Sequence, residues 1–494
     1  MEKWLKVDNR KISFSGEKTI LELAQENKID IPTLCYHPDF CAKGNCRVCV
    51  VEVAGSRKLL PACVLQATEG MEVFTKSERV LKARRVNLKL IYGEHLEKCA
   101  TCIWRFDCKL LKYAQDYKVV ITSFSDRKTA RKVYHMNEAM ELDGSQCIDC
   151  RNCIDACQMM TIDCLMLKNK GTNQEIVPSD KKKCIACGQC ALHCPVSAIQ
   201  EQTEYEGLEM LFKNKKKKKI VALVDPVTLL SAGENIGVLK KPVDPDYLNA
   251  GLLKIGFDAV EMESDLILKK VQGISNHQMK GGLIGTCPAF VNYIKMYKPA
   301  LTSRLIELDD VYRLGIMAIR NKIAFLQGVE SIDVSISLIT PCVAKKNNSL
   351  WRECSVEAED KVDKVLTVRE TSYLLRKNKI FLSQSKNNNK IGDGSLTEKL
   401  IEALQLKLFG KKAEINKQVL EENANIQIFE LQNKDQKITF LKVIGLSNFH
   451  LIEKDISNYD FIEVMACPSA CLGGGGQEVP TNKNVIQNRM KKSK

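Results

Sequence analysis

Two runs of four cysteines constrain this chain more than any other feature: CIDCRNCIDAC, from Cys147 to Cys157, and CIACGQCALHCP, from Cys184 to Pro195. Each run spaces its cysteines C-x-x-C-x-x-C-x-x-x-C. That spacing lets a short loop wrap an iron–sulfur cubane with three thiolates while the fourth crosses to a second cubane. Cys147, Cys150, Cys153 and Cys194 are therefore expected to hold one 4Fe–4S centre. Cys184, Cys187, Cys190 and Cys157 are expected to hold the other. Loops of this kind need no large core, so the remainder of the chain is expected to bring electrons to these two centres or to take them away.

A length of 494 residues, 45% of them hydrophobic, leads us to expect about three or four domains with sizeable cores. The 22 cysteines raise the alternative of a secreted disulfide framework. Against it, the N-terminus MEKWLKVDNR is charged and lacks the apolar run of a signal peptide, and the cysteines fall at ligand spacings. A reducing cytoplasm is the expected compartment. No run of about 18 apolar residues predicts a membrane span. The formal charge of +14 overstates that of a loaded protein, because thiolate–iron clusters are anionic. The basic run Lys215 to Lys219 lies between two expected domains. It reads as a solvated linker, with a docking patch for an acidic partner as the alternative, and no nucleic-acid motif accompanies it.

Residues 1–78 read as a small β-rich domain, with a hairpin in VDNRKISFS and a short helix in TILELAQENKI. Cys35, Cys46, Cys49 and Cys63 lie at IPTLC, GNCRVC and LLPAC. The pattern resembles the plant-type 2Fe–2S ferredoxin, in the longer-loop form that opens complex I large subunits and iron-only hydrogenases. Cys35 is preferred to Cys41 because it follows an apolar approach. Residues 79–118 read as helical and carry His95, Cys99, Cys102 and Cys108. One imidazole and three thiolates suit zinc or a 4Fe–4S cluster, and a cluster is favoured between two iron–sulfur domains. A module of one histidine and three cysteines follows the 2Fe–2S domain in those same families. Residues 119–208 hold the two cysteine runs, and Cys164 reads as an ordinary buried thiol.

From residue 209 to 494 strands alternate with helices, as in an α/β domain. The strand KIVALVD and the helix DYLNAGLLKI open it. GGLIG, VSISLIT and FIEVMA are short apolar runs rich in β-branched residues. Each is followed by cysteine: Cys287, Cys342, and Cys467 with Cys471 four residues on. Side chains at the carboxyl ends of strands form sites in α/β folds, so these four are expected to converge. The polar stretch SQSKNNNKIGDGS, 383–395, reads as an exposed insertion.

Taken together, the chain resembles the large, multi-cluster iron-only (FeFe) hydrogenases over nearly its whole length. The resemblance implies four parts. They are an N-terminal β-grasp ferredoxin domain, a His/Cys-ligated helical domain, a two-cluster ferredoxin domain and a two-lobed α/β hydrogenase-like domain. It implies one 2Fe–2S and four 4Fe–4S centres, the last held by Cys287, Cys342, Cys467 and Cys471. In the family Cys471 would bridge to a diiron unit carrying CO and cyanide, and Lys345 would match the lysine that hydrogen-bonds a cyanide. The family motifs appear here as GTCPAF, TPCVAKKNN and EVMACPSACLGGGGQEV. Several positions depart from them. Thr286 stands where the family has its proton-delivering cysteine, and a hydroxyl is a far weaker acid than a thiol. Asn348 replaces a relay glutamate, and the segment DLILKKVQGI lacks the relay acids. Asp225-Pro226-Val227 replaces Ala-Pro-Ser, the Ser-Pro-Gln segment has no counterpart, and Thr340 replaces a methionine. Met465 alone is clear among the methionines that pack on the diiron unit. The expectation is an electron-transfer subunit of a cytoplasmic NAD- or ferredoxin-linked complex, with hydrogen chemistry lost. Flavin/NAD-binding and ferredoxin-like subunits would be its partners, with formate dehydrogenase as a further candidate. The alternative is an active or sensory hydrogenase.

Overall fold

The computed structural model describes residues 3–95, 98–122, 128, 131–169, 173–215, 218–236, 240–263, 280–347, 360–385, 391–409, 414–420, 423–432 and 437–493. Expectations resting on Asn348 and the segment DLILKKVQGI lie outside these residues.

The first strands, Lys3–Val7 and Arg10–Phe14, pair antiparallel. Asp8 and Asn9 join them with φ of 49° and 67°, the two left-handed residues of a type I′ turn. Alternation then buries Leu5, Val7, Ile12 and Phe14 on one face. Helix Ile20–Glu26 covers that face. Its start is fixed by a capping box in which Thr19 accepts from the Glu22 amide and Glu22 accepts from the Thr19 amide. Lys3–Val7 also runs parallel to Glu72–Phe74, giving a five-stranded mixed sheet.

Helices Glu78–Gly93 and Lys109–Asp116 bracket the loop carrying His95 to Cys108. Arg84, 2% exposed, fastens this segment to the first domain by donating Nε and Nη2 to the Val50 carbonyl at 3.2 and 2.9 Å. In the next domain the two cysteine runs fold as copies. Asp149 and Arg151, with φ of 55° and 65°, correspond to Ala186 and Gly188, with φ of 60° and 73°. Each copy leads into a short helix, Asn152–Met159 or Gln189–Leu192.

The C-terminal region has two sheets. Ala259–Met262, Lys219–Val224, Val334–Thr340 and Lys364–Thr367 form an all-parallel sheet in that order. All seven residues of Val334–Thr340 are buried, as expected for a central parallel strand covered on both faces. The other sheet orders Leu305–Ile306, Gly282–Ile284, Phe461–Met465, Lys437–Ile444, Asn423–Gln432 and Glu414–Leu420. Its last two pairings are antiparallel. Among the described residues no helix is long and apolar enough to cross a membrane.

Two expectations need correction. Lys215 is not part of a solvated linker: its Nζ pairs with Asp258 at 2.9 Å and donates to the Gly256 carbonyl at 2.6 Å. Lys219 opens a core strand, and residues 216–217 lie outside the described set. Nor is 383–395 simply an exposed insertion. Gln384 bridges to Val243, Ser385 is buried, and Ile391 to Ser395 line the C-terminal cavity. Residues 386–390 lie outside the described set.

Candidate iron–sulfur sites and the C-terminal cavity

Three parallel strands deliver their C-terminal ends to one place. Gly282–Ile284 leads to Cys287, Val334–Thr340 to Cys342, and Phe461–Met465 to Cys467, with Cys471 in the turn Ala470–Gly473. All four cysteines line a single cavity of about 440 Å³. Cys287 precedes helix Pro288–Tyr297 and Cys342 precedes the turn of helix Val343–Lys346. Both thus sit at helix N-termini, which favour anionic sulfur. The Ala466 amide donates to Cys287 Sγ at 3.5 Å. Burial pushes the Cys342 thiol up to about 12. Burial, and then the Asp225 charge, raises Cys471 well above its usual range. Iron bound here would have to displace protons that burial holds on these sulfurs. The glycine run lets backbone close over the site: a Cβ at Gly474 or Gly476 would stand 2.6 or 2.9 Å from the Pro341 carbonyl oxygen.

A polar network lines the same cavity. Lys345 Nζ lies 3.4 Å from Asp225 Oδ2 and 3.3 Å from Glu263 Oε2, and all three residues are buried. Tyr312 donates its hydroxyl to Glu263 at 2.6 Å and Thr340 donates to Asp225 at 3.1 Å. Thr286 donates to Glu463 Oε1 at 2.8 Å. Glu463 also accepts the backbone amides of Leu396 and Thr397. Met465 lines the cavity.

In the ferredoxin region the sulfurs sort by their mutual effects. Burial, then the charges of Cys194 and Cys147, pushes Cys150 well up, and Cys153 responds to burial and then to Cys150, Cys147 and Cys194. Cys190 responds to burial and then to Cys184 and Cys157, and Cys187 to burial and then to Cys467, Cys190 and Cys184. The influence also crosses between the two runs: Cys190 acts on Cys153 and Cys194 on Cys190. Cys164 needs correction: it is buried, but it is no isolated thiol. Its Sγ lies 3.5 Å from Cys157 Sγ. No ligand spacing marks it. The turn at Thr161 and Asp163, with φ of 56° and 54°, folds it back onto the run.

In the first domain Cys49 Sγ and Cys63 Sγ are 3.5 Å apart, and the Cys46 amide donates to Cys35 Sγ at 3.4 Å. Cys35 is 3% exposed, whereas Cys41 is exposed. His95 is buried, and its Nε2 stands 2.8 Å from the Val196 carbonyl oxygen. Burial pushes its pKa down to about 4, so the ring is neutral, Nε2–H donates to the carbonyl, and Nδ1 keeps a free lone pair. His95 and Cys102 line a cavity of about 210 Å³. Cys99 and Cys108 both act on Cys102, after burial has raised it to about 11. Among the described residues no three His, Cys or acidic side chains gather closely enough to share one metal ion.

These groups abut one another. Asn45 donates to the Ile148 and Asp149 carbonyls at 3.2 and 3.0 Å, and Lys43 pairs with Asp155. The Cys35–Cys49 loop therefore docks on the Cys147 loop. Gln189 Nε2 donates to the Gly473 carbonyl at 2.7 Å, and Cys187 lines the C-terminal cavity. The Cys184 loop thus packs against the last site.

The 2Fe-2S iron-sulfur cluster binding domain matches residues 4–78 and the 4Fe-4S dicluster domain residues 146–198. The iron only hydrogenase large subunit, C-terminal domain, matches residues 218–475. The chain is 26% identical to the NADP-reducing hydrogenase subunit HndD of Solidesulfovibrio fructosivorans, over 95% of this chain and 88% of that one. It is 27% identical to iron hydrogenase 1 of Clostridium pasteurianum, over 96% and 89%. Over 30% of its length it is 28% identical to the gamma subunit of the NAD-reducing hydrogenase HoxS of Cupriavidus necator, covering 63% of that protein. A multidomain α/β chain with 2Fe–2S and 4Fe–4S domains ahead of that C-terminal domain, this protein belongs to the iron-only hydrogenase large-subunit family.

Proposed function

We propose that the chain is the iron–sulfur electron-transfer subunit of a cytoplasmic NAD- or ferredoxin-linked oxidoreductase complex, and that its hydrogen chemistry is lost. Cys35, Cys46, Cys49 and Cys63 would hold a 2Fe–2S centre, and His95, Cys99, Cys102 and Cys108 a 4Fe–4S centre. The two crossed ferredoxin sets would hold two more cubanes, and Cys287, Cys342, Cys467 and Cys471 a fourth. Each centre, when bound, accepts and releases electrons. The chain's own part is to bury the sulfurs, keep water away and hold neighbouring loops in contact. Similarity to subunits named as NADP- and NAD-reducing hydrogenases supports flavin/NAD-binding and ferredoxin-like partners. A formate dehydrogenase would be a suitable catalytic partner.

The observation that carries the loss of hydrogen chemistry is the wall beside Cys471. The lysine that would hydrogen-bond a cyanide is clamped between Asp225 and Glu263. An anionic diiron unit there would meet two buried carboxylates, and its charge would be repelled. These residues do not fit the diiron group. Thr286 donates its proton to Glu463, and a threonine hydroxyl lacks an accessible pKa for relaying protons at neutral pH. Dye-linked hydrogen evolution from the chain, run beside a relay-intact family member, tests this reading. Negligible evolution is expected. Turnover within about tenfold of that control, a barrier difference of only about 1.4 kcal/mol, would overturn it.

A further inference from the structure

We propose that Cys164 donates a hydrogen bond to the Cys157 sulfur of the second ferredoxin cubane and thereby makes that centre easier to reduce. The proposal rests on the reading that Cys157, Cys184, Cys187 and Cys190 hold a cubane.

The geometry gathers five sulfurs where a cubane takes four. Cys164 Sγ touches Cys157 Sγ at 3.5 Å. Two sulfurs in van der Waals contact cannot each occupy a different iron of one cubane, so either Cys157 or Cys164 is the extra one. Cys157 completes the C-x-x-C-x-x-C-x-x-x-C run, and its Sγ accepts the Cys164 backbone amide at 3.2 Å. Sulfurs bound to iron are deprotonated. The fifth keeps its proton and lies within reach of the Cys157 thiolate. Cys164 is held for this role: it is 5% exposed, and its carbonyl accepts the Ser179 amide at 2.8 Å. Hydrogen bonds to cluster sulfurs set reduction potential. Reduction adds negative charge to those sulfurs, so a donor stabilises the reduced form more than the oxidised one. The centre concerned is the one whose loop packs on the C-terminal site through Gln189 and Gly473, so Cys164 acts on the last step of the internal electron path.

The test is an EPR-monitored redox titration of the full-length, cluster-loaded chain beside Cys164→Ala and Cys164→Ser. The relevant signal is identified as the one altered by Cys187→Ser. In Cys164→Ala the reduced-to-oxidised ratio at the parent midpoint should fall about tenfold, equivalent to about 59 mV for a one-electron couple, with iron content unchanged. Cys164→Ser, which keeps a donor, should fall between the two. An unchanged midpoint with full iron in Cys164→Ala overturns the proposal alone. Loss of about four irons in Cys164→Ala also overturns it, by making Cys164 a ligand. A parent chain lacking this signal and its iron overturns the cluster reading, and the proposal with it.

Discussion

Replacing Gly475 with alanine tests whether the second ferredoxin loop is pressed against the C-terminal site for electron transfer. The new Cβ would stand 2.1 Å from the Cys187 carbonyl oxygen and 2.6 Å from Gly188 Cα. Real Cβ contacts are essentially never shorter than 3.0 Å, so the two loops must part by roughly 0.9 Å. Both partners are backbone, and no side chain can rotate away. Overpacking of this kind costs about 1–3 kcal/mol. Parting the loops also strains the hydrogen bond from Gln189 to Gly473, worth about 0.5–1.5 kcal/mol. Gly475→Ala should therefore lower stability by about 2–4 kcal/mol, measured by denaturant titration of the cluster-loaded chain. Rapid-mixing reduction through the N-terminal centres should show slower electron arrival at the C-terminal centre, with every midpoint potential unchanged. A variant within about 0.5 kcal/mol of the parent that transfers electrons at the parent rate would refute the reasoning.

Three further outcomes follow from the geometry. His95→Cys should keep its cluster and lower its potential, because a thiolate adds negative charge; His95→Ala with unchanged EPR and iron would show that the histidine is no ligand. Lys345→Met strands the buried carboxylates of Asp225 and Glu263, so it should cost about 3–5 kcal/mol, and adding Asp225→Ala should recover part of that loss as a measurable coupling. Cys41→Ser should leave the 2Fe–2S signal intact, since Cys41 is exposed while Cys35 is buried; loss of the signal would assign the ligand to Cys41.

Ligand spacing and strand-end cysteines made much of this architecture readable. Cysteines separated by two residues lie on one short loop, so the grouping within each run was legible from spacing, whereas the crossing of Cys157 and Cys194 was expected from the motif. The convergence of Cys287, Cys342 and Cys467 was legible because each follows a strand-like apolar run, and strand carboxyl ends form sites in α/β folds, although the ends come from two different sheets. What escaped depended on contacts distant in the chain. Glu263 carries no motif; its role emerges only when parallel strands Lys219–Val224 and Ala259–Met262 set it beside Asp225 and Lys345. Tyr312 reaches the same carboxylate from a helix some fifty residues further on. Cys164 lacked any spacing signal because a left-handed turn, not a ligand motif, returns it to Cys157. The stretch around Asp393 reads as a polar insertion because composition says nothing of where its ends lead. In the fold the Asp393 carbonyl accepts the Cys471 amide at 3.1 Å.

In the proposed cluster-bearing electron-transfer chain the last cubane stands without a diiron unit. Infrared spectroscopy of the full-length chain, produced together with the machinery that matures iron-only hydrogenases and paired with iron analysis, tests it most directly. The expected spectrum has no CO or cyanide stretches, with about 18 irons per chain from one 2Fe–2S and four 4Fe–4S centres. Clear CO and cyanide bands accompanied by about 20 irons per chain would contradict it.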